Sequence, residues 1–182
     1  MPRPPLARER VLDAFEDILV HDGERAATLE AVAKAAGVSK GGLLYHFASK
    51  EELAAGILDR LEEQMRLDEE RMATAPEGPV AYFIRTSVMT DDPLDRVIVA
   101  TSRLAQGGHS PSVEALSGIR KRWAAGIRPH VRDQAALDLV LLVSDGLYFN
   151  NALTPVTTGV SATVPTGAAL DALIELVLRA AT

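Results

Sequence analysis

Residues 28–53, TLEAVAKAAGVSKGGLLYHFASKEEL, restrict the fold more than any other part of the chain. Leu29, Val32, Ala33 and Ala36 recur on one helical face, and Thr28 stands where an N-cap belongs. Gly37 follows as a C-terminal stop in the left-handed conformation. Only Gly37-Val38-Ser39 separates this helix from the next, which starts at Lys40 with Ser39 as its cap. Two short helices joined by a tight glycine-containing turn describe a helix-turn-helix. Upstream, LARERVLDAFEDILVHDG places Leu12, Phe15, Ile18 and Leu19 at helical spacing and ends at Gly23. Downstream, Ser49-Lys50-Glu51-Glu52 is a capping box. It opens a long helix to about Met72, with Leu53, Ile57, Leu61 and Met65 along one side.

Gly41 and Gly42 fall on the first turn of the second short helix, where each costs about 1 kcal/mol relative to Ala. Two explanations compete. A bare backbone lets this helix approach a DNA groove closely, with its N-terminal N–H groups facing phosphate. Otherwise, the glycines allow close packing against a neighbouring helix. The flanking motif favours DNA. Val38, Leu43 and Phe47 are expected in the core, and His46 is read equally as a structural histidine or a phosphate contact.

The rest of the chain reads as helices broken by Pro76, Pro79, Pro93 and Pro111. Candidate helices are VAYFIRTSVMT, PLDRVIVATSRLAQ, SVEALSGIRKRWAAGI, DQAALDLVLLVSDGLYFNNAL and GAALDALIELVLRAAT. The fourth is the most apolar and is expected to be the most buried. In the last, Leu170, Leu173, Ile174, Val177 and Leu178 form a regular stripe. The Thr-, Gly- and Pro-rich stretch 156–167 is a loop. No strand alternation and no repeat stand out, so the chain is all-α. The Arg120-Lys121-Arg122 run reads as a solvated face beside a buried Trp123.

Several functions are excluded. There is no cysteine, hence no disulfide or thiolate metal site. The four histidines, at 21, 46, 109 and 130, lack metal-ligand spacing. No nucleophile elbow, zinc-protease motif or P-loop is present, so no cofactor and no catalysis are expected. The N-terminus has no secretory apolar region, and no run is long enough to span a membrane, so a cytoplasmic protein is expected. The net charge of −6 is unevenly placed. Residues 1–50 carry seven Lys/Arg and seven Asp/Glu, and the remaining 12 basic and 18 acidic residues hold the whole excess. A balanced head and an acidic body suggest different partners.

The 28–53 stretch resembles the DNA-binding domain of the TetR family of bacterial transcriptional regulators. Thr28, Ala33, Ala36, Gly37, Val38, Ser39, Phe47, Lys50 and Leu53 match that pattern in order and spacing, within a resemblance covering about residues 6–55. It implies a helix-turn-helix domain over 1–48 and a larger helical ligand-binding and dimerisation domain over 49–182. It implies DNA-binding roles for Thr28, Ser39, Lys40, Gly41, Gly42, Leu44, Tyr45, His46 and Lys50. Thr28 and Lys50 match clamps at helix starts, Lys40 a base or phosphate contact, and Tyr45 and His46 phosphate contacts. Leu44 departs from the family's usual Tyr, so Tyr45 takes over that contact or Leu44 makes an apolar one. The implied partners are a double-stranded operator, a second copy joined through the last two helices near Leu173 or Val177, and a small-molecule effector; no membrane is involved.

The effector site is read from the acidic body. Met89, Trp123, Tyr148 and Phe149 are candidate walls, and Asp145 interrupts an apolar run. Asp145 lines a pocket, lines the dimer interface, or pairs internally with an Arg such as Arg85, Arg96 or Arg103. A desolvated Asp145 favours a cationic ligand. The leading expectation is a repressor released from a palindromic operator by a small apolar, cationic molecule. The alternatives are an architectural DNA-binding protein without ligand and a small helical enzyme.

Overall fold

The computed structural model describes residues 5–88, 92–153 and 164–182. Among them are nine α-helices and no strand. They are α1 (Pro5–Asp22), α2 (Leu29–Ala35), α3 (Lys40–His46), α4 (Lys50–Thr74), α5 (Pro79–Thr86), α6 (Pro93–Gln106), α7 (Ser110–Ile127), α8 (Gln134–Leu153) and α9 (Gly167–Ala181). Of the four prolines expected to separate helices, Pro76 lies in the turn after α4 and the other three stand at helix starts. Pro79 and Pro93 are the first residues of α5 and α6, and Pro111 is the second of α7. A first-turn proline loses no helical hydrogen bond and presets φ. α5 ends at Thr86, where the Thr86 and Ser87 hydroxyls donate back to the Tyr82 and Phe83 carbonyls, and its expected end at Thr90 lies outside the described residues.

The chain divides into two compact units, Met1–Arg66 with Asp91–Ile119, and Leu67–Thr90 with Arg120–Thr182. In the first, α1 packs against α2, α3 and α6. Leu12, Phe15, Leu19, Val32, Leu43, Leu53 and Ile57 are fully buried there. Gly56, in the middle of α4, has a packing reason. A Cβ at that point would lie 2.9 Å from Leu12 Cδ1 and 3.4 Å from Phe47 Cε1.

Polar groups also join the helices of this unit. Arg60 of α4 donates to Glu9 at 2.9 Å, Asp13 at 2.5 Å and Glu16 at 3.0 Å, all on α1. Arg96 of α6 pairs with Glu16 and Asp17 of α1. Burial alone would weaken the Arg60 cation, but the three carboxylate hydrogen bonds outweigh it and raise its pKa. The hydrogen bond from Arg60 is also the largest cause holding Glu9 below the usual glutamate range.

The second unit has its own apolar core from α5, α7, α8 and α9, centred on Ile84, Ile127, Val140, Ile174 and Val177. Ser87 and Ser144 bury their hydroxyls against each other at 2.7 Å. α8 differs from its expected burial. Val140, Leu141, Ser144 and Leu147 face the core, whereas Leu142 and Phe149 are 64% and 65% exposed. The high apolar content of α8 reflects two apolar faces, one inward and one outward.

Replacing Arg60 by Met should lower stability at pH 7 by about 1.5–3 kcal/mol, the usual worth of hydrogen bonds to charged groups. Glu9 titrates lower when folded, so its contribution is complete above its ordinary value of 4.5 and lost as pH falls through the depressed one. Urea unfolding at several pH values should therefore show a smaller loss of stability on acidification in Arg60→Met than in the unaltered chain.

Candidate nucleic-acid interface

Short-range hydrogen bonds hold α2 and α3 in their turn. Thr28 Oγ1 accepts from Ala31 N at 3.1 Å, starting α2. Gly37, with φ +65°, ends it. Gly37 N donates to Lys34 O at 3.2 Å and Val38 N to Ala33 O at 3.0 Å, a left-handed helix stop. Ser39 Oγ accepts from Gly42 N at 3.0 Å and starts α3. Ser49 Oγ accepts from Glu52 N at 3.2 Å to start α4, and Glu52 Oε2 accepts from Ala48 N at 2.8 Å. The second arm of this capping box thus reaches one residue beyond Ser49.

Leu43 and Phe47 are buried, and this sets the rotation of α3. Lys40, Gly41, Leu44 and Tyr45 consequently share its outer face. Tyr45 is 85% exposed and Leu44 38%. His46 is half-buried and meets the Tyr45 ring edge-on at 5.1 Å. Thr28 and Ser39 are exposed beside this face as caps.

The two glycines differ. A Cβ at Gly41 would meet nothing within 4 Å, and its φ is not left-handed. Helix packing therefore does not account for Gly41. A Cβ at Gly42 would lie 3.2 Å from Ser39 Oγ, so that glycine has a local reason in the cap.

Both lysines assigned to DNA have carboxylate partners. Lys40 Nζ donates to Glu30 Oε1 at 2.5 Å. Lys50 Nζ donates to Glu24 Oε1 at 2.7 Å and to the Glu24 carbonyl at 2.8 Å. Lys50 thus ties α4 to the α1–α2 connection. Arg8 was missed in the sequence; its guanidinium stands 4.9 Å over the Phe47 ring.

The candidate effector residues do not form one cluster. Trp123 Nε1 donates to Asp68 at 2.9 Å, and its ring lies 5.4 Å from that of Phe83. Asp145 is 53% exposed and pairs at 2.9 Å with Arg120, not with Arg85, Arg96 or Arg103. Of the alternatives for Asp145, the structure has an arginine pair, with Arg120 as the partner, on an outward part of α8. Phe149 faces outward, Tyr148 is half-buried, and Met89 and most of the 156–167 loop lie outside the described residues.

The second unit buries the carboxylate of Asp68, 5% exposed, which accepts from Tyr82 OH and Trp123 Nε1, each at 2.9 Å. Its position was readable. Asp68 lies between Met65 and Met72 on the apolar stripe of α4, next to the acidic Glu69 and Glu70. On the same unit, a cleft of 380 Å³ is lined by Met72, Pro79, Arg122, Gly126 and His130 among others, with Glu69 held by Arg122 at 2.7 Å.

Residues 11–57 match the sequence model of a family described as bacterial regulatory proteins, tetR family. The chain is 30% identical over 116 residues to the transcriptional regulator UidR of Escherichia coli strain K12, a match covering 60% of this chain and 56% of that protein. The matched stretch thus spans little more than half of that relative's length. A transcriptional regulator from Rhodococcus sp. Rha1 superposes with a TM-score of 0.67 at 24% identity, covering 96% of this chain and 97% of that one. A transcriptional regulator from Streptomyces coelicolor, SCO7518, does so with a TM-score of 0.66 at 20% identity, covering 98% and 99%. Residues 11–57 thus form a helix-turn-helix segment that matches the tetR family of bacterial regulatory proteins, and the fold is shared with solved transcriptional regulators at low sequence identity.

Proposed function

We propose that this chain is a homodimeric, sequence-specific DNA-binding repressor whose affinity for its operator is set by a small-molecule effector. The observation that carries the DNA-binding part is the outer face of α3, where Gly41 leaves the backbone bare with no packing need for it. A second helix of this kind enters the major groove with its N-terminal residues at base edges. Tyr45, His46 and the capped helix starts at Thr28 and Ser39 then meet phosphate, while Lys40, Gly41, Gly42 and Leu44 face the bases. In this reading Lys50 acts as a positioning residue, because Glu24 already holds it.

The dimer reading follows from where large apolar groups stay exposed. Among the described residues these are Leu44 and Tyr45 on α3, Leu139, Leu142 and Phe149 on α8, Leu176 on α9, and Val113. All but Val113 fall on two surfaces, one on α3 and one on α8 and α9. Leu139, Leu142 and Phe149 repeat at helical spacing, as a stripe that packs on a partner helix does. A second copy would pair the same stripes about a two-fold axis. Two α3 helices related in this way call for a near-palindromic site with half-sites roughly 34–36 Å apart or more.

For the effector, the support is Asp68 with Tyr82 and Trp123. A buried carboxylate held by two neutral donors favours a ligand bearing positive charge nearby. Such a ligand changes DNA affinity only if it binds one arrangement of the protein better than another. α4 carries both Lys50 and Asp68, so it is the element to bias. An architectural DNA-binding protein would instead bind any duplex with steep salt dependence and ignore small molecules.

Gly41→Ala should raise stability by about 0.5–1 kcal/mol, from helix propensity alone, yet weaken binding to a selected palindrome at least tenfold in fluorescence anisotropy. Unchanged DNA affinity would remove the main support for the groove assignment. Leu142→Asp or Leu176→Asp should give a folded monomer by sedimentation. Val177→Asp should unfold the chain instead, because Val177 is 3% exposed within the core of its own unit. Trp123 is the single tryptophan of the sequence. Its fluorescence should respond to a lipophilic quaternary ammonium in the unaltered protein and not in Asp68→Asn.

A further inference from the structure

We infer that Glu30 is a specificity-determining residue: it holds Lys40 at the start of α3 and keeps that lysine from serving as a general phosphate contact. The inference rests on the DNA-binding reading above but concerns a residue which that reading leaves unused. Lys40 is the first residue of α3, and Glu30 is the second of α2. Their side chains meet at 2.5 Å, and both are largely exposed. The hydrogen bond from Lys40 is the leading cause that lowers the Glu30 pKa, so the carboxylate is charged throughout the neutral range.

Three consequences follow from electrostatics and geometry. First, Lys40 is the one Lys or Arg within α3, so pairing it removes the net charge of the groove-facing helix. Non-specific duplex binding comes almost wholly from Lys and Arg that neutralise phosphates and release their counterions, and this helix contributes little to it. Secondly, a carboxylate beside the groove is repelled by phosphate. That repulsion acts on every DNA sequence, and only a site with compensating base contacts overcomes it. Thirdly, a lysine held at its carboxylate has less freedom to lose. Its remaining ammonium protons are free to donate to a guanine edge, where a lysine meets O6 and N7.

A purely structural role for Glu30 is available, since an acidic side chain in the first turn of a helix is stabilising. That role moves stability alone. The test is the salt dependence of DNA binding by the dimeric, full-length chain, measured by anisotropy with a selected palindrome and with an unrelated duplex. Glu30→Gln should bind the unrelated duplex more tightly and narrow the preference for the palindrome. Freeing one lysine per half-site adds two phosphate contacts. Between 50 and 200 mM salt, the variant's affinity should then fall about tenfold more than that of the unaltered protein. In a Lys40→Met background, Glu30→Gln should add no such steepening, because the lysine it controls is gone. An unchanged salt slope in Glu30→Gln, with the unaltered chain binding its palindrome, would overturn this inference and leave the DNA-binding reading intact. Persistent steepening or altered base preference in the Lys40→Met background would also overturn it, by making Glu30 a direct DNA contact. Failure of the unaltered chain to bind any duplex would overturn both.

Discussion

Burial of Leu43 and Phe47 decides which side of α3 meets solvent. Leu43 is fully enclosed and Phe47 nearly so. Gly56 of α4 makes room for the Phe47 ring, and Arg8 covers it. A seven-residue helix has too little backbone hydrogen bonding to persist alone. It is held by these two side chains, by the Ser39 cap and by the left-handed Gly37. Once they are in place, the outward residues are free of packing demands, and Gly41 is one of them: it weakens the helix and fills no packing need.

The charge arrangement reconciles an acidic chain with the proposed nucleic-acid partner. Within the first 50 residues, Glu9, Asp13, Glu16 and Asp17 turn to Arg60 and Arg96, Glu24 to Lys50, and Glu30 to Lys40. These acids serve mainly to fasten helices to one another. The global charge of −6 therefore says little about the surface offered by α3. Exposed pairs such as Glu30 with Lys40 contribute little to stability, unlike the half-buried Arg60 cluster. Their effect lies in which cations are available to a phosphate backbone.

The second unit puts its polar groups in two different environments. Asp68 is enclosed and satisfied by two aromatic donors, whereas Asp145 is open to water and paired with Arg120. Asp145 interrupts an apolar run and Asp68 lies in a charged stretch, so the local sequence composition points to the opposite burial of the two. α8 shows why. A helix with apolar residues on two faces looks fully buried when read as a string, but only one of its faces packs within its own chain.

The sequence by itself determined the elements and their caps. Thr28, Ser39 and Ser49 cap the predicted helices, Gly37 takes the predicted left-handed stop, and Val32, Leu43 and Phe47 are core. These features are local: a cap or a helical stripe is set by residues three or four apart, and periodicity reads it directly. Only the tertiary structure decided which carboxylate is buried, which arginine balances Asp145, that Lys40 and Lys50 are already partnered, and which face of α8 stays open. Those outcomes join residues distant along the chain, such as Asp68 with Trp123 or Glu24 with Lys50. They depend on how helices rotate against one another, and a side chain's surroundings are not defined until that rotation is set.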